Sequence, residues 1–352
     1  MADLDLNRYL TGREGAAFAQ RYQVVRRIGS GTTGQVFEVL DKALNGKRLA
    51  MKIIDSTKSE DESADQVVNR FRNEVIATRS LDHPNIVRSH DSGELQGGLL
   101  FLSMDYVDGQ TLEVLIRDGY FKKRGFGGVL TVIRGIANGL ACAHQQGIIH
   151  RDLKSSNIFV NSEGHVKIGD FGLAFIRDLG IKLTKTGNAV GTPVYMAPEQ
   201  VLGEALDERV DIYALGIIIF ELITGRLPYD DDNYYALANR IVNQPLPRCT
   251  SIVPRTEKWI YSLIDKATAK NRMDRFGGAY EVLEFISQER RAIVRADRKT
   301  TSTANLIASA RKQSRAPWPI RVGVVNPLFI WIVGVVLTCM ICLAVVARNI
   351  FE

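Results

Sequence analysis

Four cysteines in 352 residues are too few for a disulfide framework, and they show no zinc-ligand spacing. Cys142 and Cys249 stand far apart. Cys339 and Cys342 form a C-x-x-C inside a long apolar run, which offers neither polar access nor further ligands, so they read as small apolar side chains. A secretory signal is also missing: Met1 to Gln20 starts acidic and polar and has no sustained apolar core. No internal repeat is visible. With 45% hydrophobic residues, the composition is that of one large domain with appendages.

The body lacks net positive charge. The formal net charge is +6, but Gln288 to Arg321 holds nine Lys or Arg against Glu289 and Asp297, a net of +7. The end of the chain sums to zero, which leaves residues 1 to 287 at −1. That argues against nucleic-acid binding by the body and for attraction of the tail to an anionic membrane surface.

Charge is absent altogether from Val322 to Ala347, and Leu328 to Ala347 is twenty residues, enough for a helix to cross a hydrocarbon core of roughly 30 Å. The competing reading is a buried helix of a soluble domain, but only Arg348 to Glu352 follow to cover it. Trp318 and Trp331 lie near its N-terminal half, where amphipathic rings favour the interface. Arg311, Lys312, Arg315 and Arg321 precede the span and Arg348 follows, a bias that places the body on the cytoplasmic side. Between body and membrane, Ala296 to Pro319 reads as a linker spanning on the order of 25 to 30 Å if flexible.

Within the body the pattern changes near residue 110. Short β-rich runs (Tyr22 to Ile28, Gln35 to Asp41, Arg48 to Ile54, Ile86 to Ser92, Leu99 to Tyr106) surround one helical stretch, Asp65 to Ser80. Longer helical patterns follow, including Gly127 to Gln145, Val210 to Thr224 and Lys258 to Lys270. Strands first and helices second imply two lobes with a ligand cleft between them.

Ile28-Gly29-Ser30-Gly31-Thr32-Thr33-Gly34-Gln35-Val36 is glycine-rich, and glycines let backbone N–H groups approach phosphate oxygens. A dinucleotide-binding fold would open a helix here. Gln35 to Leu40 instead continues as a strand, which favours a hairpin lid over nucleotide phosphates, with a plain glycine turn as the alternative. Lys52 sits in the apolar strand Leu49 to Ile54 and needs an anion, either Glu74 or nucleotide phosphates, unless it snorkels to the surface. His150-Arg151-Asp152-Leu153-Lys154-Ser155-Ser156-Asn157 is followed, thirteen residues after Asn157, by Asp170-Phe171-Gly172.

Here the sequence resembles the eukaryotic-type (Hanks-type) protein kinases, across roughly Tyr22 to Ile286. The match holds in order through Lys52, Glu74, His150 to Asn157, Asp170 to Gly172, Ala197-Pro198-Glu199, Asp211 and Arg275. The resemblance implies an α+β, two-lobed kinase fold with a small β-rich N-lobe and a larger helical C-lobe, to which the single C-terminal transmembrane helix is added. The domains expected are an extension at 1–20, a kinase domain at 21–290 (lobes at about 21–106 and 107–290), a basic linker at 291–321, the span at 322–347 and a short tail at 348–352.

The resemblance also implies roles. Phosphoryl transfer needs positioning and charge neutralisation more than covalent help. Asp152 would orient the substrate hydroxyl, Lys154 would balance charge on the transferred group, and Lys52 with Glu74 would hold the phosphates. Asn157 and Asp170 would bind Mg²⁺, or Mn²⁺ in its place. Ile28, Gly29, Ser30, Gly31, Gly34, Val36, Ala50, Lys52, Met104, Asp105, Val107 and Phe159 would line the ATP site, Met104 as back wall and Phe159 as a bulky floor for adenine. His150 is expected to pack beneath Asp170 to Gly172, Glu199 to pair with Arg275, and Asp211 to accept backbone N–H groups of the catalytic loop. Thr78 falls one turn after Glu74, where the family often has a larger apolar residue, so that helix is expected to need outside help to stay docked.

Lys154 and the Gly191-Thr192-Pro193 segment resemble serine/threonine kinases, with Thr192 near Asp152. Thr111 and Ser156 stand where acidic residues often recognise basic peptides, so arginine-rich substrates are not favoured. Arg151 beside Asp152 is, by the resemblance, expected to receive an activation-loop phosphate, with Thr184 or Thr186 the candidate for trans-autophosphorylation, which a homodimer would serve. The partners expected are protein substrates and, through the span and linker, membrane lipids. The layout resembles bacterial membrane kinases of the inner membrane without an external sensor; a eukaryotic tail-anchored protein shares it. The rival function is a catalytically inactive kinase-fold scaffold, against which Lys52, Asp152, Asn157 and Asp170 are all retained.

Overall fold

The computed structural model describes residues 12–31, 34–58, 64–171, 193–231, 233–249, 252–253 and 257–292. The chain divides into two units, Met1–Arg290 and Arg291–Glu352. Arg291 and Ala292 are the only residues of the second unit among those described, so the expected transmembrane span and most of the linker lie outside them.

Burial of Gln35, Phe37 to Val39 and Asp41 along Gly34–Asp41 (β2) and continuous burial from Leu49 to Ile54 within Lys47–Asp55 (β3) mark the centre of an antiparallel sheet. Tyr22–Gly31 (β1), Ser89–Leu95 (β4) and Leu99–Asp105 (β5) complete five strands in the order β1-β2-β3-β5-β4. Gly34 has φ 142°, and a Cβ there would run into the Ile53 carbonyl, so only glycine lets the β1–β2 hairpin fold down on β3. On one side of the sheet the helix Ala64–Arg79 (α2) lays Val67, Phe71 and Val75 against Ile54, Leu100 and Leu102. On another, the helix Gly12–Arg21 (α1) buries Phe18 with Tyr22, Phe37, Leu95 and Leu99. Phe18 meets the rings of Tyr22 at 5.1 Å and Phe101 at 5.2 Å, and Arg21 forms ion pairs with the fully buried Asp41 and with Asp91. The boundary expected between residues 20 and 21 therefore falls inside a helix that closes the N-lobe core.

The C-lobe starts at a small sheet of Gly109–Thr111 (β6), Ile158–Asn161 (β7) and Val166–Ile168 (β8). Thr111 caps Leu112–Arg117 (α3) by accepting from the Val114 amide. The long helix Tyr120–Gln145 (α4) begins seven residues before the apolar periodicity predicts. Pro198–Leu202 (α5), Arg209–Thr224 (α6), Tyr234–Asn243 (α7), Lys258–Ala267 (α8) and residues 279–292 (α9) complete it. Helix α6 is buried on all sides from Val210 to Leu222 and is the axis of the lobe. Among the described residues one stretch, Phe126–Gln145 of α4, is long and apolar enough to cross a membrane, and it is mostly buried inside this lobe. The run expected as a strand from Ile86 starts instead at Ser89. Ile86 makes an isolated parallel bridge with Ile168, tying the approach to β4 onto the C-lobe sheet.

Candidate active site

Strand register assembles the upper wall. Val36 is opposite Lys52, and Ala50 is opposite Met104, so with the two-residue period of a strand all four side chains share one face of the sheet. Ile28 and Gly29 lie at a bulge in β1, Gly31 pairs with Gly34 at the hairpin end, and Asp105 closes β5 before the irregular stretch that carries Val107. Phe159, expected as the floor, lies in β7 of the C-lobe sheet. Its ring packs so closely on Gly169 that a Cβ there would sit 2.7 Å from it.

The lower wall is a loop held by one carboxylate. Asp211, at the start of α6 and 1% exposed, accepts the His150 amide at 2.8 Å, the Arg151 amide at 2.9 Å and His144 Nε2 at 2.9 Å. Burial works to raise this carboxyl, but the hydrogen bonds from His144 and from the His150 amide hold it below the usual range. His150 is bonded at both ring nitrogens: Nδ1 accepts from the Asp152 amide at 3.3 Å, and Nε2 donates to the Gly169 carbonyl at 2.9 Å. Its ring stands 4.6 Å from that of Phe171. No lone pair is left for base chemistry, and His150 acts as a buried strut.

On this strut Arg151 and Asp170 are both held in the left-handed region, at φ 63° and 59°. Asp152 accepts from Lys154 Nζ at 2.8 Å. Asn157 donates its amide nitrogen to the Asp152 carbonyl at 2.9 Å, so Oδ1 is the atom that faces away from that bond. Lys52, 4% exposed, reaches across from β3 to Asp170 at 2.9 Å. Burial alone would raise the Asp170 carboxyl; the Lys52 ammonium keeps it below its ordinary value. Among the described residues Lys52 pairs with Asp170. Glu74 lies in α2 with its side chain outside the described residues, and Thr184, Thr186 and Thr192 fall wholly outside them.

Beside the expected Glu199–Arg275 pair, Gln200, Glu221 and Glu38 stand around the site without a motif signal. Gln200 of α5 accepts the Ala197 amide and donates to the Arg151 carbonyl at 2.9 Å, joining the Ala-Pro-Glu turn to the catalytic loop. Arg275 and Glu199 form a buried two-bond ion pair at 2.6 and 2.8 Å beneath it. Glu221, also buried, is bonded by the Tyr195 hydroxyl at 2.7 Å and by Ser155 at 3.3 Å. Glu38 on β2 accepts from Arg26 and Arg48, and the Arg48 guanidinium stacks 4.1 Å from the Tyr106 ring. Only their meeting in space sets Gln200, Glu221 and Glu38 apart, which a single sequence does not display, whereas the Glu199–Arg275 pair is the one expected.

A glycine hairpin folded down on β3, a strand lysine paired to an aspartate, and a catalytic loop hung on a buried carboxylate define a phosphate-handling protein of the kinase kind. The family described as "Protein kinase domain" matches residues 22–286, more than half of the chain, and the chain belongs to that family. It is similar to bacterial members of the eukaryotic-type serine/threonine branch. The serine/threonine-protein kinase pkn3 of Myxococcus xanthus is 35% identical over 315 residues, covering 86% of this chain and 56% of the relative. PknL of Mycobacterium tuberculosis is 35% identical over 281 residues, covering 78% and 68%. PrkC of Bacillus subtilis is 34% identical over 285 residues, covering 81% and 42%. The chain thus spans about half the length of several curated relatives that it matches. Among solved structures, the kinase domain of Mycobacterium tuberculosis PknI aligns with a TM-score of 0.59 at 29% identity, covering 76% of this chain and 95% of that one.

Proposed function

We propose that the chain is a serine/threonine protein kinase that transfers the ATP γ-phosphoryl group to protein hydroxyls, its own included, at the cytoplasmic face of a membrane. The observation that carries this is the Lys52–Asp170 ion pair, which brings together residues 118 apart beside Asp152 and Asn157.

The donor set fits ATP with Mg²⁺. Among the described residues no group of three or more His, Cys, Asp or Glu could hold an ion by itself. An aspartate held ionised and one amide oxygen suit Mg²⁺, which takes its remaining ligands from phosphates and water. Asp170 and Asn157 would hold it, and when bound it neutralises and bridges phosphate oxygens. Lys52 supplies a desolvated cation for the phosphates, and Ala50, Val36, Met104 and Phe159 offer apolar faces to the base. Asp152 accepts the proton of the incoming hydroxyl, and Lys154, already bonded to it, places positive charge beside the transferred group. Glu221 is occupied by Tyr195 and Ser155, so it adds no free carboxylate for basic peptides, in line with Thr111 and Ser156.

Incubation of the full chain with labelled ATP, Mg²⁺ and a generic protein acceptor tests the assignment. Label should pass to serine and threonine in the wild type and fall by at least about 10²-fold in Asp152→Asn. Equal transfer by the two proteins would sink it.

A further inference from the structure

The hinge that follows β5 has no regular structure over residues 106–108, so its position depends on what grips Asp105. The grip comes from an irregularity in β4. Ser89 pairs with Met104 and Asp91 with Ser103, so His90 is the extra residue of a β-bulge. A bulge resets the alternation of a strand and re-aims the side chain it carries. Ser103, fully buried, repairs the ladder: its hydroxyl accepts the Asp91 amide at 2.9 Å and donates to the Asp91 carbonyl at 3.1 Å.

The re-aimed His90 places Nε2 2.7 Å from Asp105 Oδ1. A carboxylate accepts only, so Nε2 carries the hydrogen and donates it. Lys47, at the start of β3, donates to the same oxygen at 3.1 Å. From the other side Arg79, in the last turn of α2, donates to the His90 carbonyl at 2.8 Å. Burial would raise the Asp105 carboxyl, but the bonds from His90 and Lys47 hold it below its usual value.

We propose that His90 is a positioning residue for nucleotide binding: from the β4 bulge it fixes the Asp105 carboxylate, and with it the hinge backbone, to the end of α2. The proposal rests on the nucleotide site assigned above. It concerns ground-state placement of the base, so it acts on nucleotide affinity and leaves the chemical step to Asp152 and Lys154.

Steady-state kinetics and MgADP calorimetry on the full chain test it with His90→Ala and His90→Gln. Glutamine is chosen because its amide nitrogen reaches about where Nε2 stands. His90→Ala should raise KM for ATP and Kd for MgADP about five- to tenfold while kcat stays within about twofold, and His90→Gln should restore both to within about twofold. Unchanged KM and Kd in His90→Ala, a loss confined to kcat, or a glutamine variant no better than alanine would overturn the proposal. A wild type that binds MgADP but transfers no phosphate would end the kinase assignment alone, because Kd still decides the tether. A wild type that binds no nucleotide would end both.

Discussion

Lys52 and Asp170 illustrate how much a single side chain depends on its opposite. With 4% exposure Lys52 has no water to fall back on, and the Asp170 carboxyl stays ionised against burial because the ammonium is there. Lys52→Met keeps the apolar stem and removes the charge. We expect kcat/KM to fall by about 10²-fold or more, with the far-ultraviolet circular dichroism unchanged. Glu221 presents the opposite sign. Burial raises its carboxyl, and the bonds from Tyr195 and Ser155 offset that only in part. A carboxyl raised in the folded state supports the fold in its neutral form. That support is complete below the ordinary carboxyl pKa and is lost as pH rises through the raised value. Glu221→Gln cannot ionise, and Ser155 can turn its hydroxyl to accept the new amide. Its Tm should therefore exceed that of the wild type near pH 7, with the gap closing toward about pH 4. A gap that does not vary with pH would show that Glu221 does not titrate there.

Among the elements, those built on local signals were legible in the sequence and those built on distant contacts were not. The catalytic loop could be read because its residues are consecutive; the distant contacts of His150, of Asp211 and of the Glu199–Arg275 pair were expected only from the family resemblance, and they stand where it implies. Helix α4 was expected from Gly127 on its apolar periodicity, and Gly125, Gly127 and Gly128 each weaken a helix by about 1 kcal/mol relative to alanine. Burial of Phe121 and the edge-on contact of Phe126 with Trp259 at 5.8 Å override that cost and extend the helix back to Tyr120. The bulge at His90 gives no sign at all, since a strand with an extra residue has the same composition as one without. Helix α1 was hidden for a further reason: its apolar contribution to the core centres on Phe18, whose partner Phe101 is far along the chain. Phe18→Ala should lower the unfolding free energy by about 3 kcal/mol, read from urea denaturation, with the N-lobe the part that loosens. Gly34 offers a sharper test of backbone. Gly34→Ala forces φ 142° on a residue with a Cβ and drives that Cβ into the Ile53 carbonyl. KM for ATP should rise at least about tenfold as the hairpin lifts from β3.

For the whole molecule, the kinase body carries almost no net charge and the tail carries nearly all of it. Deleting Leu328 to Glu352 is expected to release the protein from membranes into the supernatant after high-salt washing. Continued pelleting with bilayers under those conditions would show that the apolar segment is not the main anchor. If Thr184 or Thr186 receives the activating phosphate, the Thr184→Ala/Thr186→Ala double variant should lose both loop phosphate by mass spectrometry and most of the kinase activity. Retention of full activity without that phosphate would remove the Arg151 argument for activation.

The docking of α1 also has a consequence for how the protein is made. Phe18 is synthesised 83 residues before Phe101, the ring it packs against. At the usual pace of about 5 to 20 residues per second, that leaves an interval of roughly 4 to 17 s in which the helix lacks the β5 part of the surface it settles on. Completion of the N-lobe thus waits on the ribosome. A nascent chain arrested before residue 101 should expose Phe18 and Tyr22 to whatever chaperone meets it at the exit tunnel.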